Sequence, residues 1–307
     1  MYIEKLCNIL SVYTSDFVRQ NRSESKFLTS ESWVILSAIE QRIKAKIESV
    51  GTPLKDWDIN IYRGVLTGYN EAFIIDGKKR NELIEADPKS AEIIRPLLRG
   101  RDIKRYSYEF ADLYIITTFP SLKIDIEQYP AVKQHLIGFG YDRLKQTGDK
   151  GARKKTNNQW FETQDSISYW EDFSKQKIVW GEISDRTKFS IDLNGEFVME
   201  ATTFLLSGNS LLYLLAFLNS KISEYFFSKI GTTTGVGTVR WKKFTIEQLS
   251  VPRISLDRQL LFDDLVSQII EREKKKEDYN EILSIIDNLI YTEIGLSDEE
   301  ICFIESQ

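Results

Sequence analysis

The segment from Asp58 to Thr118 leaves this chain little freedom of fold. It alternates apolar and polar residues through Ile59, Ile61 and Val65, breaks at Gly64, Thr67, Gly68 and Asn70, and resumes as Ala72, Phe73, Ile74 and Ile75. That order predicts a strand, a turn of residues that tolerate positive φ, and a second strand. Asp87 as N-cap and Pro88 at the first helical position then predict a short helix over 88–98, ended by Gly100. A basic corner follows, and the segment closes on an apolar strand, Asp112-Leu-Tyr-Ile-Ile-Thr-Thr.

The flanking chain alternates helical and strand patterns. Trp33, Ile35, Leu36, Ile39, Ile43 and Ile47 recur at helical spacing, with Ser30 or Ser32 as cap and Gly51 and Pro53 as the end. Ile126–Phe139 fits a helix entered at Pro130, and residues 141–161 are irregular and basic. Residues 177–183 form an apolar strand. The pairs 188–193 and 197–201, joined at Asn194-Gly195, carry a hairpin signal. Residues 202–206 form a short strand and 211–230 a helix. Residues 256–291 form one long helix or an antiparallel helical pair. The expected fold class is α+β: a mixed β-sheet with flanking helices and a C-terminal helical segment. Residues 1–30 read as a linker remnant, 31–254 as the main domain, and 255–307 as helices packing on it or on a partner.

The runs G-V-L-T-G-Y-N-E-A-F-I-I-D (Gly64–Asp76) and D-P-K-S-A-E-I-I-R-P-L-L-R-G-R-D-I-K-R-Y (Asp87–Tyr106) resemble the TaqI-like C-terminal specificity domain. That family is the target recognition part of type IIG restriction–modification enzymes and related adenine-N6 DNA methyltransferases. The likeness continues through Lys177-Ile-Val-Trp-Gly-Glu-Ile, Leu218-Asn-Ser-Lys, Gly235-Val-Gly, Val251-Pro-Arg-Ile and Leu296-Ser-Asp-Glu-Glu-Ile, so it spans about Trp33 to the C-terminus. The resemblance implies sequence-specific recognition of double-stranded DNA, beside an upstream methyltransferase domain or subunit. No cofactor is expected in this chain. S-adenosylmethionine, and Mg2+ where a nuclease is present, belong to the upstream domains of the parent enzyme.

Composition agrees with a soluble protein of a reducing cytoplasm, and the resemblance implies a prokaryotic cell. The 307 residues are 42% hydrophobic and 28% charged, and the two cysteines, Cys7 and Cys302, sit near opposite ends. Residues 211–230 are the best membrane-span candidate, but Asn219, Lys221, Glu224 and Lys229 interrupt them. The net charge of −5 is unevenly divided. Residues 257–307 carry 5 Lys/Arg against 14 Asp/Glu, or −9, which leaves +4 for the rest. Within that rest, residues 95–105 hold five cations and one acid, and residues 143–155 hold six and one. Clustering of this kind, rather than a high total, is what phosphate binding requires.

No catalytic constellation is visible. There is no Pro-Pro pair to grip a flipped adenine, and neither Gly138/Gly140 nor Gly235/Gly237 joins a strand to a helix as a nucleotide site requires. Glu182 is the nearest candidate for a metal-dependent nuclease, without a following Glu-x-Lys. The single histidine, His135, lies on a helix and reads as structural. DNA contacts are expected instead from Arg143, Lys145, Arg153, Lys154 and Lys155, with Asn157, Asn158 and Gln159 suited to adenine edges. Arg240, Lys242 and Lys243 form a second candidate loop, and Arg99, Lys104 and Arg105 a third group. Arg101, beside Asp102, is open to an internal ion pair instead. Thr67, Gly68 and Asn70 read as a structural turn near DNA, and Trp160 and Trp241 as packed rings. Two other readings stay open: a protein–protein interaction module working through the acidic helices, and a nuclease with an unrecognised metal site.

Overall fold

The computed structural model describes residues 36–230, 232–233 and 239–307. In chain order the elements are α1 (Ala38–Val50), β1 (Gly51–Pro53), β2 (Ile59–Arg63), α2 (Asn70–Phe73), β3 (Ile74–Asp76), α3 (Gly77–Ala86), β4 (Ile94–Leu98) and β5 (Leu113–Ile116). Then come α4 (Pro130–Ile137), α5 (Tyr141–Leu144), β6 (Lys177–Gly181), β7 (Ile183–Ser184), β8 (Phe189–Asp192), β9 (Val198–Met199) and β10 (Thr203–Gly208). The chain closes with α6 (Leu211–Leu218), α7 (Lys221–Ile230), β11 (Thr232–Thr233), β12 (Val239–Arg240), α8 (Lys243–Glu247), β13 (Ser250–Pro252), α9 (Leu256–Lys275), α10 (Asn280–Ile294) and α11 (Asp298–Glu305). The fold is α+β, as expected.

An antiparallel sheet of order β2-β10-β6-β8 lies at the centre, and β10 is hydrogen-bonded on both edges. Side chains alternate across a strand, so β10 and β6 feed two cores at once. Phe204, Leu206, Ile178 and Trp180 pack with α6 and the C-terminal helices, whereas Leu205 and Val179 pack with Leu97, Leu98 and Phe173. Burial on both faces is why these strands read as unbroken apolar runs. A second sheet, β3-β5-β4-β9, is mixed, with β9 parallel to β4. Its outer face covers a third core of Phe73, Ile116, Leu136, Leu144 and Phe161.

Several local expectations give way to tertiary contacts. The strand at 59–63 is present, but the turn after it opens a helical turn, α2, and β3 belongs to the other sheet. The cause is the Thr67 hydroxyl, which donates to Asn70 Oδ1 (2.6 Å) and accepts from the Tyr69 amide (3.1 Å). Asp87 caps and Pro88 starts a 3-10 helix, but it stops at Ile93, and Ile94–Leu98 is a strand. Gly100 therefore lies past a strand rather than at a helix end. The Asn194-Gly195 turn joins no hairpin, because β8 pairs with β6 and β9 with β4. Asp192 redirects the chain there. Its carboxylate accepts from the Glu196 and Phe197 amides (3.2 and 2.9 Å) and pairs with Lys177 at 2.5 Å, both side chains being fully buried.

The helix expected over 211–230 is broken at Asn219 and Ser220. Asn219 hydrogen-bonds both backbone groups of Phe189, and Asp287 accepts from the Lys221 amide (3.0 Å) to cap α7. The expected C-terminal helical pair is present as α9 and α10. It shares the largest core with α1, where Lys46 pairs with buried Glu300 at 2.7 Å. Helix α1 is capped by Ser37 in a capping box; Ser30, Ser32 and Trp33 lie outside the described residues, as does Gly235-Val-Gly.

Candidate nucleic-acid interface

Residues 141–165 have almost no regular structure, yet they are tied down by buried side chains. Arg153 is 2% exposed. Its guanidinium donates to four carbonyls: Leu144 (2.7 Å), Thr67 (2.9 Å), Glu162 (2.8 Å) and Trp160 (2.6 Å). It also lies over the Phe73 ring, and burial pulls its pKa down to about 10. Arg153 thus acts as a strut, which corrects the expectation from sequence: at 2% exposure, with four of its five N–H groups bonded to carbonyls, it presents no open fork to a phosphate. Asn158 is tied down too: its amide donates to the Thr163 and Gln164 carbonyls, which leaves only its Oδ1 for a base edge. Gln146, which sequence reasoning missed, closes the same loop. It accepts from the Thr156 hydroxyl (2.8 Å) and donates to the Gln159 and Glu162 carbonyls.

With the loop held from inside, its remaining cations face outward. Lys150, Lys154, Lys155, Asn157 and Gln159 are exposed, and the three lysines make no ion pair among the described residues. Arg143 lies 4.1 Å over the Tyr69 ring and donates to the Gly151 carbonyl, and Lys145 pairs with Asp142 at 3.0 Å. Trp160 packs edge-on against Phe161.

The Thr67–Asn70 turn is welded to this loop. The Gln164 and Asp165 amides donate to the Thr67 and Leu66 carbonyls, and Gly68, at φ 78°, lies so close to Gln164 and Arg153 that a Cβ would crowd both. The far side of the turn borders a groove of about 540 Å3, lined by Asn70, Glu71, Arg99, Arg101, Glu200 and Thr202. Gly100, which lines the groove, is pressed against Gly181: a Cβ on Gly181 would lie 3.1 Å from Gly100 Cα. A glycine inside an apolar strand is the sequence signal for such an approach.

The third group divides. Arg99 forms a two-pronged pair with Asp102 (2.9 and 2.7 Å), so the ion pair at this corner belongs to Arg99 and leaves Arg101 exposed and unpaired among the described residues. Burial raises the Asp102 carboxyl, but the Arg99 hydrogen bonds and charge outweigh it and hold the carboxyl below the usual range. Lys104 pairs with Glu109 at 3.7 Å. Arg105 turns part of its guanidinium inward to the Asn219 carbonyl and stays half-buried, so it is less free than Arg101.

The second candidate loop is linked to Thr202, a lining residue of that groove, through Glu182. The Glu182 amide donates to the Thr202 carbonyl (2.8 Å), and the Glu182 carboxylate pairs with Arg240 at 3.1 Å. Trp241 is buried, accepting from Trp180 Nε1 at its carbonyl (2.7 Å). Lys242 is exposed, and Lys243 pairs with Glu247 at 3.6 Å.

The pattern of the TaqI-like C-terminal specificity domain matches residues 95–251, half of the chain. This chain belongs to that family. The specificity domain is also similar in fold to the type IIL restriction–modification enzyme MmeI, solved in complex with DNA (TM-score 0.58, 11% identity, covering 83% of this chain and 36% of that one). The type IIG restriction endonuclease BpuSI matches at a TM-score of 0.49 and 16% identity, covering 82% of this chain and 32% of that one. The chain thus spans about a third of the length of these two structures. No curated protein matches it.

Within the specificity domain, no group of three or more His, Cys, Asp or Glu among the described residues could hold a metal ion. The His135 ring lies 3.0 Å from the Ala72 carbonyl, and burial lowers its pKa, so it serves as a neutral donor to backbone. No described helix is long and apolar enough to cross a membrane.

Proposed function

We propose that this chain recognises a specific sequence in double-stranded DNA, as the specificity part of a restriction–modification enzyme whose methyltransferase domain or subunit lies elsewhere. One observation carries the reading. The internally tied 141–165 loop and the Thr67–Asn70 turn form one unit that leaves Lys150, Lys154 and Lys155 unpaired, beside a groove with both hydrogen-bond donors and acceptors. Unpaired lysines on a rigid support bind phosphates at little ordering cost, while mixed polar groups in a groove read base edges. MmeI, similar in fold, was solved with DNA. The strongly acidic 257–307 segment packs in a different core from the basic loop, which keeps its charge from the phosphate-binding face.

In this reading residues 31–254 form the recognition unit, residues 255–307 brace it or meet the partner, and S-adenosylmethionine is used by the upstream domains of a cytoplasmic parent enzyme. The test is duplex binding by the chain across a salt series. Lys154→Ala/Lys155→Ala should weaken binding and reduce the slope of log K against log salt by about 2. An unchanged slope, or no binding by the wild type, would sink the proposal.

One observation favours the interaction-module reading. Leu256 and Leu260 are exposed on α9 at i,i+4 spacing, which puts them on one side of the helix, with Leu261 exposed beside them. That reading predicts no salt-dependent DNA affinity, together with partner binding that Leu260→Glu abolishes.

A further inference from the structure

The two sets of free cations stand in different electrostatic settings. Lys154 and Lys155 are adjacent on an outer loop with no carboxylate bonded to them. Arg101 stands in a groove whose other walls carry Glu71 and Glu200. Two carboxylates make that groove a poor anion site, because a phosphate entering it would meet like charge. A base edge is neutral and offers both acceptors and donors.

The groove also presents Arg101 with little freedom of backbone. Gly100 is pressed against Gly181, and the Arg99–Asp102 fork closes the 3-10 turn Gly100–Asp102 on either side of Arg101. Asp102 is spent on Arg99, so no carboxylate bonds the Arg101 guanidinium. Across the groove, Glu200 Oε2 accepts from the Thr202 amide and hydroxyl, while Oε1 accepts nothing among the described residues.

Building on the DNA-recognition reading, we propose that Arg101 is a specificity-determining residue that reads guanine in one G·C pair, with the Glu200 carboxylate receiving the cytosine amino group. Guanine presents O6 and N7 as paired acceptors to the guanidinium fork, and cytosine N4 is the donor a carboxylate requires.

The test is selection of bound duplexes from a random-sequence pool by the full 307-residue chain, as wild type, Arg101→Ala and Arg101→Gln. The wild type should enrich a motif with one near-invariant guanine. Arg101→Ala should lose the preference at that position alone, a fall of about tenfold to a hundredfold in discrimination. Arg101→Gln should move it toward adenine, whose N6 and N7 suit a carboxamide, and neither variant should change the salt slope. An unchanged motif in both variants overturns the assignment and leaves DNA recognition standing. So does a uniform loss of affinity with the salt slope reduced by about one, which marks a phosphate contact. A wild type that enriches no motif overturns both.

Discussion

The Arg153 guanidinium donates to the Thr67 carbonyl at 2.9 Å, across 86 residues of sequence. This bond joins the irregular basic loop to the Thr67–Asn70 turn. It turns two locally unstructured segments into one rigid edge.

Arg153→Ala should therefore cost stability rather than charge. It strands four buried or half-buried carbonyls, and a loss of about 3 kcal/mol in denaturant unfolding is expected. Lys154→Ala, next to it but exposed, should stay within about 0.5 kcal/mol of wild type.

Gly64→Ala should unfold the junction of the two main sheets. A Cβ at Gly64 would overlap the Glu200 and Met199 carbonyl oxygens where β2 passes the β9–β10 connection. Both oxygens belong to backbone that cannot swing away, so a loss of about 3 kcal/mol or more is expected, read as a fall in Tm.

The Lys177–Asp192 pair is buried in the central sheet, and burial pulls the Lys177 pKa down against the opposing pull of Asp192. Removing one partner leaves the other charge without compensation. Lys177→Met should cost about 3–5 kcal/mol in denaturant unfolding.

Asp287 supplies a pH-dependent term. Burial raises its carboxyl to about 6, against the opposing pull of the Lys221 amide and the Arg105 and Lys221 charges. Because the folded pKa lies above the unfolded one, the stability it contributes is complete below about pH 4 and lost as pH rises through about 6. Relative to Asp287→Asn, which stays neutral, the wild type should lose about 2 kcal/mol between about pH 4 and about pH 7. A pH-independent difference between the two would count against the buried carboxylate.

Glu182→Ala separates recognition from hydrolysis. It releases Arg240 from its ion pair, so nonspecific duplex affinity should rise and the salt slope steepen by about one. A metal-dependent nuclease centred on Glu182 would instead show cleavage by the wild type, abolished by this change.

Much of the local structure was legible in the residues alone. Asp87 and Pro88 start the 3-10 turn, the apolar runs at 177–183 and 202–206 are largely strands, the Leu256–Tyr291 pattern is a pair of helices, and the family resemblance agrees with the match over residues 95–251. These features rest on backbone dihedrals, caps and periodicity, which act over a few residues. Tertiary structure decided which strands pair and which polar side chains face solvent. Asn194-Gly195 has the residues of a hairpin turn, but Asp192 and Lys177 send its second strand to another sheet. Arg153 and Lys154 are neighbours of like charge, yet one is buried and the other exposed, because three carbonyls of its own loop and the Thr67 carbonyl, 86 residues away, converge on the guanidinium of Arg153. A buried cation needs partners that composition cannot reveal, and only the folded chain brings them within hydrogen-bond reach.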